Sequence, residues 1–504
     1  MPNEVELKLR INPAHAARLR RHPVIVAATT GKPVTRKLTS IYYDTPDLQL
    51  LDAHVSLRVR RMSGSWFQAV KAAGSSLAGL HQRMEWEDII AAGHPDFSKI
   101  NDPALIPIFS SDELRAALQP IFITEVQRTE WQLTMADGSL IEMALDRGVL
   151  RVNGMITPPR LINEVELELK SGHASWLFEL ALQLQTDIPL HIENTSKAQL
   201  GYAYYRPGLP AVVKARVKPL AKNLSALEAL RQIGWECLAR LQGNQDMVLH
   251  GEDVEGVHQM RVALRRLRSA LMVFDSVVDV AAELKAELMW ISDKLSPARD
   301  TDVFLTQTLP TVMQQFEHHP GLQTLRCRAM TAQCVAYLSA RSAIRSQRYQ
   351  RLLLKMGLLL ENMQLDSHAV PVIVIAQDIL QKRYKQLHKQ GKLLREFDAG
   401  QRHHMRILCK KLRYATELFA SFYPSRSTAS FLQKLTELQE VLGKLNDLNV
   451  TQVLAHRLAG DSPDQALDEA LHILCGWNDQ HVTHQLSHMD AVWQAFSAQK
   501  PFWN

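Results

Sequence analysis

The sequence spells the same five residues twice, Asn-Glu-Val-Glu-Leu, at 3–7 and again at 163–167. In both copies acidic residues alternate with branched aliphatic residues and lead to a lysine, Lys8 or Lys170. Alternation with period two predicts a β-strand with one charged face and one apolar face. Like charges then lie about 7 Å apart, which is costly unless cations sit among them. One such strand would be read as the solvated face of an antiparallel sheet; its repetition argues against that reading.

Further alternating stretches follow within the first 205 residues, and together they predict about eight strands. Besides the two copies, these are 37–44, 55–61, 66–71, 81–88, 122–135 and 140–150. Several give paired charges to one face and aliphatic or aromatic residues to the other, the inverse of an ordinary core. An antiparallel sheet closed on itself, with the charges inside and helices such as 175–185 outside, would enclose a polar lumen.

A lumen lined by both signs of charge suits a particular ligand. Arginine and lysine bind phosphate oxygens, and clustered carboxylates hold hard divalent cations such as Mg²⁺, which bridge phosphates in turn. A polyphosphate chain with bound metal meets both requirements. The chain contains no GxxxxGK[ST] sequence, so a P-loop nucleotidase is not supported.

The order of these charged residues resembles the signature of the CYTH, or triphosphate tunnel metalloenzyme, superfamily. The residues that carry the resemblance are Glu4-x-Glu6-x-Lys8, Arg58-x-Arg60, Lys71, Glu85-x-Glu87, Arg128, Glu142 with Asp146, Glu164-x-Glu166 and Lys197. The resemblance covers about residues 1–205. It implies an α+β domain, an eight-stranded antiparallel β tunnel with covering helices, that binds a triphosphate together with Mg²⁺ or Mn²⁺.

The resemblance also implies roles for individual residues. The phosphates would be gripped by Lys8, Arg58, Arg60, Lys71 and Arg128, and Lys197 would close on them from a mobile segment. The metal would be held by Glu4, Glu6, Glu164 and Glu166. The carboxylates Glu85, Glu142 and Asp146 would be further metal ligands or would orient water. Which carboxylate accepts the proton of the attacking water stays open.

After a Pro-rich basic linker at 206–219, the texture changes to an all-helical domain that is expected to fill 220–504. It contains an internal repeat, because the block from His258 to Arg268 returns from His403 to Arg413, and the block that begins at Leu295 returns at Leu442. Two blocks in the same order at nearly one offset predict two pseudo-symmetric helical bundles, at about 220–365 and 366–504.

Each repeat places four basic residues on one helical stripe, with steps of three, four and three. The stripes are His258, Arg261, Arg265 and Arg268, and His403, Arg406, Lys410 and Arg413. A charge run is usually a solvated face, yet these stripes are nearly free of acidic partners four residues on, so a long anion explains them better. The blocks resemble the CHAD domain, a histidine-containing helical domain. That resemblance implies binding of inorganic polyphosphate along a basic channel.

Composition limits the compartment and the partners. The five cysteines are dispersed without CxxC spacing, which argues against a disulfide framework and favours a reducing cytoplasm. The apolar runs are too short to span a bilayer, and acidic residues stand where a signal peptide would need an apolar core. Lysine and arginine exceed acidic residues by 58 to 52. Aromatic residues do not cluster with the basic stripes, so nucleic acid ranks below polyphosphate as a partner.

The sequence therefore predicts a cytoplasmic inorganic triphosphatase. It would hydrolyse tripolyphosphate to pyrophosphate and phosphate with Mg²⁺ or Mn²⁺, and its helical domain would bind polyphosphate. Three alternatives stay open: a tunnel enzyme acting on thiamine triphosphate, one acting on ATP as an adenylate cyclase, and a polyphosphate-binding scaffold without activity.

Overall fold

The computed structural model describes residues 3–154, 158–208, 211–214, 219–251, 253–363, 370–391, 397–460 and 464–503. The chain divides into two compact units, one made of Met1–Leu209 with Ser346–Asn362 and one made of Pro210–Arg345 with Met363–Asn504. Residues 346–362 come from the predicted helical half of the sequence and are part of the first unit. Parts of the predicted linker, 209–210 and 215–218, and the predicted repeat boundary at 365/366 lie outside the described residues.

The first unit is built on one antiparallel sheet, which has nine strands among the described residues. The strands are β1 (Asn3–Ile11), β2 (Val34–Asp44), β3 (Ser56–Met62), β4 (Ser65–Leu77), β5 (Leu80–Ile90), β6 (Gln119–Thr134), β7 (Leu140–Val152), β8 (Arg160–Ser171) and β9 (Leu190–Ile192). Their order is β5-β4-β3-β2-β6-β7-β8-β1-β9, and β1 also pairs with β5. The sheet therefore closes through eight strands, which confirms the predicted tunnel fold.

The two sequence copies lie side by side in this barrel. β1 pairs antiparallel with β8, so that Lys8 stands opposite Glu166 and Leu7 stands opposite Leu167. Because side chains alternate across a strand, this register sends the charges of both copies to one side and the leucines to the other. Leu7 and Leu167 are fully buried. The predicted parity of the repeat is thus what separates the lumen from the outer core.

Helices cover the outer face of the barrel and carry one lumenal residue. Those of the first unit are α1 (Ala16–Arg20), α2 (Pro23–Ala28), α3 (Gln49–Asp52), α4 (Ile106–Phe109), α5 (Asp112–Ala117), α6 (Ser175–Leu184), α7 (Lys197–Tyr205) and α14 (Gln347–Glu361). α6 buries Leu177, Phe178 and Leu180, in agreement with its predicted covering role. α7 begins at a capping box formed by Ser196 and Gln199, which fixes Lys197 as its first residue.

The second unit is all-helical in its described part. Its helices are α8 (Ala226–Gly243), α9 (Gln245–His250), α10 (Glu255–Val273), α11 (Ala282–Val303), α12 (Leu309–Gln315), α13 (Pro320–Arg345), α15 (Val372–Gly391), α16 (Ala399–Phe419), α17 (Ser425–Ala459) and α18 (Gln465–Ser497). The repeated basic block lies on α10 and α16. The second repeated block begins at Leu295 on α11 and at Leu442 on α17, and it is called the repeated acidic block because it carries Asp300 and Asp447. Within the described ranges, no helix combines the length and hydrophobicity needed to cross a bilayer.

Candidate functional site

The barrel encloses a cavity of about 630 Å³ whose wall carries both signs of charge. Of the residues predicted for the site, eleven line it: Glu4, Glu6, Lys8, Arg58, Arg60, Lys71, Glu85, Arg128, Glu142, Glu166 and Lys197. The other two predicted residues, Asp146 and Glu164, are buried and contact Lys197. All thirteen residues that the sequence assigned to the tunnel are therefore in or directly behind one cavity.

Lys197 is the centre of a buried charge cluster at one side of this cavity. Its Nζ atom lies 2.8 Å from Asp146, 2.7 Å from Glu164 and 2.7 Å from Glu166. Arg128 forks onto Asp146 through hydrogen bonds of 2.7 and 2.6 Å and also contacts Glu166. Burial alone would raise the pKa of Glu166, but the neighbouring cations, Lys197 first, hold that pKa well below its usual range.

A second charge cluster surrounds Lys71. Its Nζ atom lies 2.8 Å from Glu4 and 2.8 Å from Glu85. Arg58 approaches Glu85 at 3.3 Å and Glu87 at 3.6 Å. Burial opposes ionisation of Glu85, but Lys71 and Arg58 outweigh it and lower the pKa of Glu85 to about 2. Glu85 is therefore ionised at neutral pH and can balance cations or bind a metal.

Arg60 differs from the other cations of the cavity wall. Among the described residues, each of the other lining lysines and arginines has a carboxylate within 4.0 Å, whereas Arg60 contacts only the hydroxyl of Ser40, at 3.1 Å. Burial, with the like charges of Arg58 and Arg128, lowers the pKa of Arg60 to about 10. A half-buried guanidinium among other cations favours an anion in the cavity.

Three carboxylates are close enough together to hold one metal ion. Oxygen atoms of Asp146, Glu164 and Glu166 lie within 4.8 Å of one another, and all three residues are buried. A set of carboxylate oxygens is the donor type that Mg²⁺ and Mn²⁺ prefer, so the residues fit the implied metal. Glu6 adjoins this trio through Lys8, which lies 3.3 Å from Glu6 and 2.7 Å from Glu166.

The structure separates the other two predicted metal ligands from this trio. Glu4 pairs with Lys71 in the second charge cluster. Glu142 accepts a hydrogen bond of 2.7 Å from Gln132 and lies 3.7 Å from Lys170. The predicted ligand set is therefore divided between a compact trio and carboxylates elsewhere on the wall.

In the second unit, the two basic stripes converge between α10 and α16. The guanidinium of Arg265 on α10 lies 5.9 Å from the ring centre of Tyr414 on α16. Burial, followed by the positive charges of Arg406 and Arg265, lowers the pKa of Lys410 to about 8. Stripes that the sequence places 145 residues apart thus act on one another as a single cationic surface.

Each repeat adds an aspartate to this surface from the repeated acidic block. Asp447 on α17 lies 3.6 Å from Arg406. Asp300 on α11 is the acidic neighbour of Arg261, and burial raises the pKa of Asp300. Arg261 also donates to the hydroxyl of Ser296, the residue that stands where the second repeat has glycine. The substitution in the first repeat therefore supplies a polar contact to the stripe.

The remaining residues of the stripes stand at their ends: His258, Arg268, His403 and Arg413. His403 contacts the side chain of Asn446 at 2.9 Å, and Arg413 is paired with Glu417, four residues on, at 2.6 Å. Arg268 is partly exposed on α10. Burial and the charge of Arg299 lower the pKa of His258. The positive charge of the stripes is thus most concentrated at their middle residues. The outer cation Arg413 is already neutralised by Glu417.

Two family models match the chain, each over one of its predicted parts. The CYTH domain model matches residues 2–202, and the CHAD domain model matches residues 232–456. The chain is a CYTH domain followed by a CHAD domain. Helix α14, at 347–361, falls inside the CHAD match although it is part of the first unit.

The chain is also similar to a curated protein and to a solved structure. It is 31% identical to an inorganic triphosphatase of Haemophilus influenzae over 204 residues, which are 40% of this chain and 55% of that protein. The chain thus spans about half the length of the curated relative. The CHAD domain of the plant Ricinus communis is 33% identical and matches 57% of this chain and 98% of its own, with a TM-score of 0.52.

Sequence reasoning missed some residues that line the CYTH cavity. Tyr42 is buried on the wall, opposite Arg58 in the β2–β3 register. Burial raises its pKa, but Arg58, Arg60 and Lys197 outweigh burial, so the pKa of Tyr42 is lowered. Further lining residues, to which the sequence assigned no role, are Arg36, Glu87, Glu130, Glu168 and Lys170. Strand register, which pairs Tyr42 with Arg58, is the signal that would have found Tyr42.

Proposed function

We propose that this chain is a metal-dependent inorganic triphosphatase that hydrolyses tripolyphosphate to pyrophosphate and phosphate. The observation that carries the proposal is Arg60, a half-buried cation of the tunnel wall that contacts a hydroxyl but has no carboxylate within 4.0 Å among the described residues. A tunnel that pairs its other cations and leaves this one for a ligand is suited to a linear polyanion. The likeness to a triphosphatase supports the same substrate class.

The cations would act as a preorganised clamp on the phosphate chain. Five cations face the cavity from the four strands β1, β3, β4 and β6: Lys8, Arg58, Arg60, Lys71 and Arg128. During phosphoryl transfer, negative charge spreads over the transferred group, and fixed cations stabilise it without reorganising at that moment. The wall residues would therefore supply most of the rate by binding and orienting the chain.

The carboxylates would hold the metal and restrain Lys197. Asp146, Glu164 and Glu166, with Glu6 beside them, would bind Mg²⁺ or Mn²⁺, which when bound supplies charge neutralisation and an activated water. Lys197 contacts the same three carboxylates. If a bound metal balanced the charge of these carboxylates, the ammonium group of Lys197, at the start of α7, would be available to a phosphate oxygen.

The CHAD domain would bind long polyphosphate on the surface formed by α10 and α16. Burial, followed by neighbours of like charge, lowers the pKa of Lys410 to about 8, and an anion on this surface would relieve the repulsion between those charges. Arg261, Arg265 and Arg406 border the same place. We expect polyphosphate to bind here without a metal, because cations outnumber the two nearby aspartates.

The first test measures phosphate release from tripolyphosphate, ATP and thiamine triphosphate by the full chain, with and without Mg²⁺. We expect magnesium-dependent release from tripolyphosphate far above the other two. The double variant Glu4→Ala/Glu6→Ala should remove this activity while circular dichroism keeps its helical signal. No release from a folded protein would contradict the proposal and leave the polyphosphate-binding scaffold.

One observation favours an organic triphosphate as a second candidate substrate. A chamber of about 550 Å³ shares Ser56, Lys71, Ser196 and Ala198 with the tunnel. The rest of its wall is largely uncharged and includes Leu51, His54, Asn194 and Tyr202. A nucleoside or thiazolium group could enter such a chamber, and faster release from ATP or thiamine triphosphate than from tripolyphosphate would select this candidate.

A further inference from the structure

Helix α14 is a piece of the CHAD match that packs as part of the tunnel unit. Its N-cap is Ser346, whose hydroxyl accepts a hydrogen bond from the Tyr349 amide. Its buried face includes Leu353, Leu354 and Met356. The helix is therefore held by a hydrophobic core as well as by the polar contacts described next.

The middle of α14 approaches α6 closely. A Cβ atom on Gly357 would lie 2.2 Å from the ring of Phe178, so glycine is required for this contact. Arg351 donates a hydrogen bond of 3.3 Å to the carbonyl of Leu182 at the end of α6. These contacts fix the position of α14 along the barrel and bring its first turn to strand β9.

Two glutamines of that first turn contact the backbone of β9. The side-chain oxygen of Gln347 accepts from the Leu190 amide at 3.2 Å, and that of Gln350 accepts from the Ile192 amide at 2.9 Å. β9 pairs with β1 along its other edge. Alternate amides of an edge strand point away from its partner, so the glutamines occupy the place of a neighbouring strand.

β9 leads directly to Lys197. Beyond Ile192, the Glu193 amide donates to the carbonyl of Lys8 at 3.0 Å. The side-chain oxygen of Asn194 accepts a hydrogen bond from the Gly79 amide at 2.8 Å, and the backbone carbonyl of Asn194 accepts one from the Ser76 hydroxyl at 2.7 Å. Ser196 then caps α7. Hydrogen bonds thus hold the chain at β9, at Glu193, at Asn194 and at Ser196, up to the residue that contacts the three buried carboxylates.

We propose that Gln347 and Gln350 are positioning residues for the triphosphate reaction, which hold β9 so that Lys197 starts α7 at the correct place over the tunnel. This inference rests on the proposed function. Neither glutamine lines the tunnel cavity, so each acts through Lys197. A segment of the CHAD match thereby completes the active site of the CYTH domain.

The test is a double-mutant cycle between Gln350→Met and Lys197→Met in the full chain. Gln350→Met removes the acceptor but keeps the length of the side chain. We expect KM for tripolyphosphate to rise about three- to tenfold, the range for one lost hydrogen bond, with kcat nearly unchanged. In the Lys197→Met background the same substitution should have no further effect, because the two changes act through one group.

Two matched variants separate positioning from folding. Gln350→Glu keeps an acceptor oxygen and should restore KM to near the wild-type value. Gln183→Met makes the same chemical change at an exposed glutamine of α6 and should change nothing. A lower melting temperature for Gln350→Met with an unchanged KM, or an equal rise in KM in both backgrounds, would overturn the proposal.

The cycle is repeated on binding, with tripolyphosphate titrated by calorimetry into the four proteins while the metal is chelated. This closes the cycle even where Lys197→Met turns over too slowly. If the wild type hydrolyses no triphosphate, the proposed function fails, and the binding cycle still tests the positioning role. If the wild type is active and the cycle shows no coupling, only the positioning role fails.

Discussion

The tunnel and the α10–α16 surface both concentrate basic residues, but they balance the charge differently. In the tunnel, Lys8, Arg58, Lys71, Arg128 and Lys197 each have a carboxylate within 4.0 Å. On the α10–α16 surface, the cations are mutual neighbours, and burial, followed by the charges of Arg406 and Arg265, lowers the pKa of Lys410 to about 8. In the tunnel, most cations are neutralised in ion pairs, whereas at the middle of the α10–α16 surface cations lie beside one another and repel.

This difference has a chemical meaning. Buried ion pairs have fixed geometry, and a ligand that enters must replace one partner of each pair with equally good contacts. Under the proposed function such a site would be selective, and a bound metal would balance the carboxylates that phosphate displaces. A surface of mutually repelling cations gains from any polyanion of sufficient length, with little demand on its shape. The tunnel is thus suited to chemistry and the helical surface to retention.

Removing one tunnel carboxylate is the strongest way to break this comparison. Glu166→Gln keeps the shape of a residue that contacts Lys8, Arg128 and Lys197. We expect phosphate release from tripolyphosphate to fall about 10³-fold, since both metal binding and the fixed cations are affected. Polyphosphate retention by the same variant should not change. Parallel loss of retention would contradict a division of labour between the two regions.

Arg60, which has no carboxylate within 4.0 Å in the described part of the chain, provides the next test. Arg60→Met should reduce kcat/KM for tripolyphosphate about 10²-fold, as expected for one fixed electrostatic group. The same change should stabilise the ligand-free protein, because it removes a half-buried cation that is repelled by Arg58 and Arg128. Calorimetric melting checks this, and about 2–4 °C is expected for each kcal/mol gained. A lower melting temperature would show that Arg60 has a compensating partner.

Single substitutions on the helical surface should have smaller effects on binding. Arg261→Ala and Arg406→Ala should each weaken polyphosphate binding about tenfold and reduce its salt dependence by about one charge. Filter retention of labelled polyphosphate at several salt concentrations measures both. Arg326→Ala, an exposed arginine of α13, is the matched control. Chelating the metal should leave binding intact, and a metal requirement would erase the difference from the tunnel.

The smallest expected effect concerns pH. The ammonium of Lys410 is the charged form and its pKa is lowered to about 8, so it is largely protonated at pH 7 and largely neutral at pH 9. Polyphosphate affinity should therefore fall as pH rises across this range. For each unit by which bound polyphosphate raises the pKa of Lys410, the affinity should fall by at most about tenfold. Lys410→Arg should flatten the profile, and an equally steep profile in that variant would assign the titration to another group.

Much of the tunnel follows from side-chain parity. Glu4, Glu6 and Lys8 could be assigned to one face because a strand alternates with period two, and every predicted tunnel residue lies in or behind the cavity. The neighbours across the sheet could not be assigned in this way. Tyr42 faces Arg58 only once β2 and β3 have their register, and register is a property of two strands that neither sequence segment contains.

The place of α14 could not be predicted from its own residues. Its apolar pattern predicts a helix with one buried face, and its position in the repeated half favours packing among other helices. Two features decide otherwise, Gly357 against Phe178 and the glutamines against β9. Both depend on residues more than 150 positions away, so local patterns carry no signal of them.

The position of α14 in the chain also determines when the tunnel unit can be completed during synthesis on the ribosome. Because the tunnel unit includes Ser346–Asn362, the ribosome must add well over a hundred residues after the last strand before that unit can be completed. During this interval the outer edge of β9 has amides without their glutamine acceptors, and an open strand edge invites pairing with other chains. The nascent tunnel is therefore the stage at which a chaperone would be needed most.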